Sequence, residues 1–370
     1  MRGLYIHIPF CKHICSYCDF PKMVSFSKEK MDKYVNNLIL ELNSYKKELA
    51  TVNTVFIGGG TPNALPLDLL LKLLNAIRSN LDSNNIIEFC IECNPELLTT
   101  SQVKLFKEFN ITRVSLGAES FNDEVLKKLG RHHKKSDIIN AVNLLRENGT
   151  NNININLIFG HPFDTINLVK ENLNNFYGLN IPHISYYSMI LEDHTIFKYQ
   201  YDKKIIELPD EDIVADMYEY IMQDLNNHGY NQYEISNFAK NGYESVHNQI
   251  YWNLDDYIGI GLGASGFINN NRYTNAFTFE DYFNNKKDVN SLDKYTQEQE
   301  FMMLGFRLIK GPSKLRFKEK FNEDIKDVFK DEINRLINKK LIKETENNYC
   351  LTHEGIMLGN EVFMEFVNEN

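Results

Sequence analysis

The sequence predicts an α/β fold: a partial barrel of six βα units followed by a smaller, mostly helical module. Three observations carry this. First, six short apolar or β-branched runs (Leu4–Ile8, Thr54–Ile57, Ile86–Ile91, Arg113–Leu116, Ile153–Phe159 and His183–Met189) alternate with stretches of helical character (Lys28–Leu49, Leu67–Leu81, Ser101–Phe109, Ser136–Asn148, Asn167–Tyr177 and Asp210–Asn227). Such alternation gives right-handed crossovers and a parallel sheet. Second, the chemistry-bearing motifs fall just after these runs, where a barrel gathers its ligands. Third, from Gln297 onward apolar residues recur at helical spacing, with a polar-tipped hairpin near Glu344–Tyr349 and a further helix from His353, a winged-helix-like pattern. Residues 1–235 are assigned to the barrel, 236–296 to a connecting segment and 297–370 to the C-terminal module.

Composition narrows the function. The 370-residue chain is 43% hydrophobic, enough for a large core plus a smaller one, and its net charge of −10 argues against nucleic acid as a bulk partner. No apolar run reaches membrane-spanning length. The first candidate ligand, at Cys11, leaves no room for a removed targeting segment, and six cysteines with thiolate chemistry to perform fit a reducing, cytoplasmic setting.

The first strand leads into Cys11, Cys15 and Cys18, spaced C-x3-C-x2-C. Three soft thiolates this close converge on one metal centre. Three ligands leave a fourth coordination position open, whereas closed zinc or iron–sulfur sites take four protein ligands. A zinc knuckle completed by His7 or His13 is the alternative. Cys90 and Cys93 lie three apart on a predicted strand, so their sulfurs point to opposite faces, and Cys350 stands alone; these three read as packed thiols.

The second strand ends in Gly58-Gly59-Gly60-Thr61-Pro62, a loop stripped of side chains where backbone can approach a ligand or turn tightly. Glu92, near the end of the third strand, is a carboxylate that burial makes expensive without a partner. Glu119 and Arg131 follow the fourth strand, and Asn156 lies within the fifth; Arg131 fits a solvated surface charge equally well. His247, among the aromatics of HNQIYW, has the chemistry of an axial haem ligand, and a loop-bound histidine fits the same pattern. Gly259–Gly263 suggests a dinucleotide loop but lacks the flanking strand and helix.

Together YIHIPFCKHICSYCDF, GGGTP, ECNP, LGAESFND, LGRHH, INLIFGHP, YEISNFA, HNQIYW and EFMMLGFRL resemble, over nearly the whole chain, the radical S-adenosylmethionine (SAM) haem chaperones of the oxygen-independent coproporphyrinogen III oxidase-like family. The resemblance implies a radical-SAM barrel with a [4Fe-4S] cluster on Cys11, Cys15 and Cys18. It implies a SAM site lined by Tyr5, Tyr17, Gly59, Gly60, Thr61, Glu92, Glu119, Arg131 and Asn156, and haem contact at His247. It implies haem transfer to acceptor haemoproteins, respiratory ones among them, and leaves room for a homodimer and for peripheral membrane contact. Two positions depart from the pattern: Glu119 stands where relatives have Gln, and Asn156 where they have Asp. The rival within the resemblance is oxidative decarboxylation of coproporphyrinogen III. Those oxidases carry a further cysteine where this chain has Phe20, and a longer segment ahead of the cluster loop, so the resemblance favours the chaperone.

Overall fold

The computed structural model describes residues 1–24 and 26–367. Six strands form the barrel wall: β1 (Arg2–Ile8), β2 (Thr54–Gly59), β3 (Glu88–Cys93), β4 (Arg113–Glu119), β5 (Ile153–Phe159) and β6 (His183–Ser188). Each pairs in parallel with the next. The crossover helices run over Lys28–Ser44, Leu67–Asn80, Thr100–Glu108, Lys135–Glu147, Ile166–Leu179 and Glu211–Asn227. The first helix stops earlier than expected, because Tyr45 leaves helical geometry (φ −97, ψ 22) before a short turn at Lys46–Leu49.

Strand alternation divides the barrel wall chemically. Outward residues such as Leu4, Ile6, Val55, Ile57, Ile91, Val114, Leu116, Ile155, Leu157 and Ile184 join one buried cluster with helix residues Tyr34, Leu38, Leu73, Phe106, Val142, Phe176 and Ile221. Each fully buried Leu or Ile contributes about 1.5–3 kcal/mol. The inward residues are mostly polar: Glu92, Arg113, Ser115, Asn154, Asn156, His183 and Ser185 surround the lumen. Cys90 faces this lumen and Cys93 the outer core, as the strand period required.

The sheet does not stop at six strands. Residues 231–291, most of which fall in the expected connecting segment, extend it. A hairpin of β7 (Asn231–Glu234) and β8 (Asn237–Ala239) pairs antiparallel to β6. At the other edge β9 (Asp256–Ile260) lies parallel to β1, followed by the antiparallel strands β10 (Ser265–Ile268), β11 (Asn271–Asn275) and β12 (Lys287–Ser291). The glycines at 259–263 serve this extension: a Cβ on Gly259 would lie 1.8 Å from the Ser265 carbonyl oxygen, and Gly261 has φ +104. They are sheet-packing glycines, not a phosphate loop.

The C-terminal module opens on the helix Lys294–Gly305 and carries the two-stranded hairpin β13 (Ile342–Glu344) and β14 (Tyr349–Leu351), followed by the helix His353–Met357. Phe301, Phe306, Phe317, Phe329, Leu336, Tyr349 and Phe366 form its separate core, which Leu254 and Phe267 of the extended sheet also enter. Among the described residues no helix is long and apolar enough to cross a membrane.

Candidate metal and cofactor site

A cavity of about 190 Å³ opens at the C-terminal ends of β1–β5, and the loops that follow these strands line it. Cys11, Cys15, Tyr17 and Cys18 come from the loop after β1, Gly59, Gly60 and Thr61 from that after β2, and Glu92 from the end of β3. Gly117 and Glu119 of β4, Arg131 beyond it and Asn156 of β5 complete the ring. Eleven of the thirteen residues expected at the site therefore meet in one place. Tyr5 lies off this lining, with its hydroxyl donating to His7 Nδ1 (2.9 Å) while His7 Nε2 faces the Pro21 carbonyl oxygen (2.8 Å). That pairing fixes the His7 tautomer with its proton on Nε2.

Backbone hydrogen bonds hold the loop. Cys11 N donates to the Met23 carbonyl (2.9 Å), Ser16 N to that of Leu129 (3.0 Å), and Phe197 N to that of Ser16 (2.9 Å). Thr61 Oγ1 lies 3.6 Å from Cys11 Sγ and Arg131 Nη1 3.4 Å from Cys15 Sγ, so both are placed to donate to thiolates. Arg131 is no surface charge: its Nη2 donates to Asn94 Oδ1 (3.0 Å) and to the Gly117 carbonyl (2.5 Å), and its buried Nε has no partner among the described residues. Burial raises the Cys18 thiol to about 11, Lys22 opposing, and lifts the Cys11 thiol above its ordinary value, with Thr61, Lys22 and Arg131 opposing.

The glycines leave room that any side chain would fill. A Cβ on Gly60 would sit 2.8 Å from Cys11 Sγ; one on Gly59, whose φ is +109, would enter the His7 ring at 2.5 Å. One on Gly58 would meet Glu92 Oε2 at 2.7 Å. Instead Gly59 N donates to Glu92 Oε2 at 3.1 Å.

Two carboxylates share the site with one guanidinium. Burial lifts Glu92 to about 7, the Gly59 N–H opposing and Glu119 adding to the rise. Glu119 is also raised by burial, against Arg131 and the Tyr17 hydroxyl, and it occupies the left-handed region (φ 64) at a bulge in the β4–β5 ladder. A non-glycine residue held there costs of order 1 kcal/mol or more, an expense typical of ligand sites. Asn156 Oδ1 already accepts from Asn154 Nδ2 (2.6 Å) and faces Ser115 Oγ (3.4 Å), which leaves its Nδ2 as a donor.

Glu92 has a testable signature. Folding holds its proton more tightly (about 7) than an exposed glutamate does (4.5). Its contribution to stability is therefore greatest at low pH and declines as pH rises from about 4.5 through 7. In the ligand-free protein, Glu92→Gln should raise stability over wild type by about 2 kcal/mol at pH 8 and by almost nothing at pH 4.5. Denaturant melts across that range check it; a difference that does not vary with pH would contradict the assignment.

His247 is elsewhere, and the expectation of haem contact is corrected. The short helix Val246–Trp252 seals the opposite, N-terminal mouth of the barrel. Glu88, the first residue of β3, accepts from the N–H groups of Val246 (3.1 Å) and His247 (2.9 Å) and from Ser245 Oγ (3.3 Å), while Arg113 Nε sits 3.2 Å away. The His247 ring is 0% exposed, with Nδ1 2.7 Å from Thr54 Oγ1 and Nε2 2.7 Å from the Tyr251 hydroxyl. Both ring nitrogens are engaged, so neither is left for iron. Trp252 lies under the Arg307 guanidinium, 4.5 Å from its ring centre.

Sequence reasoning missed Asn94, which orients Arg131, and Lys22, whose ammonium donates to the Cys18 carbonyl. Asn94 stood inside ECNP, but only the β3–β4 register brings it to Arg131.

A cysteine-loop barrel with a glycine-floored cavity is the architecture of the radical SAM class, and the matching family models agree. The radical SAM superfamily matches residues 5–174 and the HemN C-terminal domain residues 292–358. The fold resembles that of the coproporphyrinogen III oxidase HemN of Escherichia coli, with a TM-score of 0.85 at 22% identity, covering 99% of this chain and 89% of that one. The heme chaperone HemW of Lactococcus lactis is 40% identical over 99% of this chain and 97% of its own length; that of Bacillus subtilis is 39% identical over the whole of both. The heme chaperone HemW of Escherichia coli is 31% identical over 99% and 98%. The chain belongs to the HemW family.

Proposed function

We propose that this protein binds haem and delivers it to acceptor haemoproteins in the cytoplasm, respiratory ones among them, and that it carries a [4Fe-4S] cluster with exchangeable SAM. The observation that carries the reading is end-to-end kinship, at 40% identity, with a protein named as a heme chaperone. The residues fit the cofactors. Cys11, Cys15 and Cys18 line one cavity, with Thr61 and Arg131 placed to donate to the sulfurs of Cys11 and Cys15. The partnerless Arg131 Nε and the spaces above Gly59 and Gly60 suit a polar ligand beside that cluster. Cys11, Cys15 and Cys18 would hold it; Glu92 and Glu119 would offset the positive charge of SAM. When bound, the cluster supplies one-electron reduction at its open iron. The chain's own part is to seat the thiolates, donate to them from Thr61 and Arg131, and shield the site.

The rival reading is porphyrinogen oxidation, against which Phe20 counts: it lines the cavity where the oxidases have a further cysteine. One anaerobically reconstituted sample separates the two. It should bind about one haem per chain and convert no coproporphyrinogen III with SAM and reductant present. Turnover to protoporphyrinogen would overturn the chaperone.

A further inference from the structure

With His247 sealed away, haem needs another seat. A second cavity, of about 610 Å³, opens on the far side of the Cys18–Met23 segment and shares Asp19, Phe20 and Lys22 with the cluster cavity. Its size is within the range of small-molecule sites. Leu262 and Phe279 form part of its lining, and two phenyl groups stand open to solvent around it, Phe20 at 59% and Phe277 at 68% exposure. The two loops meet over Gly263 (φ +67), where a Cβ would lie 2.6 Å from Pro21 Cγ and 3.1 Å from Phe277 Cδ1.

The charges are as distinctive as the rings. Lys30 holds its ammonium 4.7 Å above the Phe279 ring, and Lys22 donates only to the carbonyls of Cys18 and Phe20. Neither makes an ion pair among the described residues, although the chain has 50 acidic side chains to 40 basic ones. The one acid in the lining, Asp19, is exposed. Uncovered aromatic faces beside two unneutralised cations match a flat apolar macrocycle that carries two carboxylates.

We infer that this cavity is the haem seat, with the macrocycle against Phe20 and Phe277 and its propionates at Lys22 and Lys30. The inference rests on the haem-binding reading above and adds where, and by what chemistry, the ligand is held. The lining contains no histidine, and Met23 is its one thioether. Ring faces and carboxylates do the holding, so the metal contributes little, and a porphyrin held this way leaves readily for a partner with a strong axial ligand.

The test uses the full chain with its cluster reconstituted. Phe277 and Lys30 lie outside the cluster cavity, so Phe277→Ala combined with Lys30→Gln should keep full iron content. It should bind haem and metal-free protoporphyrin IX alike about tenfold more weakly than wild type, and Lys30→Gln alone should reduce the salt dependence of binding. Wild type that binds no haem would overturn the haem reading itself. Wild type that binds haem while the double variant binds it equally would overturn only the seat. Haem bound tightly and metal-free porphyrin not at all would mean an axial ligand elsewhere. A variant that changes oligomeric state with unchanged haem affinity would make these phenyl groups a contact between copies, and would also overturn the seat.

Discussion

Cys15→Ala protein, reconstituted anaerobically, should hold less than one iron per chain where wild type takes up about four, and should lose the broad absorption near 400 nm typical of thiolate-bound iron–sulfur clusters. Cys15 is half-buried on a loop that backbone bonds from Cys11, Ser16 and Phe197 already fix, so the apoprotein should melt as wild type does. Its sulfur lies 3.4 Å from Arg131 Nη1, and without it the guanidinium faces the site with one thiolate fewer to neutralise. Cys90→Ala, whose sulfur faces the lumen, should leave iron uptake intact. Tight binding of one zinc with no iron would refute the cluster.

His247→Ala should lower stability by about 4 kcal/mol and leave the haem spectrum unmoved. The substitution empties a wholly buried site and strands the hydroxyls of Thr54 and Tyr251, each worth about 1–3 kcal/mol when left unpaired, with a cavity cost besides. Burial also holds the imidazole near a pKa of about 3, well below its ordinary 6.5. The folded state thus excludes a proton that the unfolded chain accepts below pH 6.5. The stability this confers is full above that pH and is lost as pH falls toward 3. Urea melts at pH 5 and 8, with the Soret band recorded on the same samples, check both parts. A shifted Soret band in folded variant protein would return His247 to the haem site.

The cysteine loop and the glycine loop were legible in the sequence as close-spaced thiols and a run without side chains, and the structure brings both to one cavity. Arg131 was ambiguous from sequence, since a lone arginine after a helix looks the same whether solvated or aimed inward; Asn94 and the Gly117 carbonyl decide it. Glu92 was singled out because parallel strands bury apolar runs, but here most of the inner face of the barrel is polar. Glu88, with the same signal, holds a helix N-terminus instead. His247 misled because aromatic neighbours suit a haem wall and a packed core equally. Only the docking of its helix against Thr54, 193 residues away in sequence, tells them apart. The extra strands were missed because they are short, and β12, exposed throughout, carries no apolar alternation.

β1 lies in the interior of the sheet, between β2 and β9. Its β2 partner arrives about fifty residues later in synthesis; its β9 partner, Asp256–Ile260, arrives only after some 250. A ribosome that has released residues 1–250 holds a nascent chain whose cysteine loop hangs from a strand with one bare edge, and bare edges invite wrong pairing. The cysteine loop is thus translated first and its supporting strand is completed almost last. The chain's earliest residues depend on its late ones for shelter.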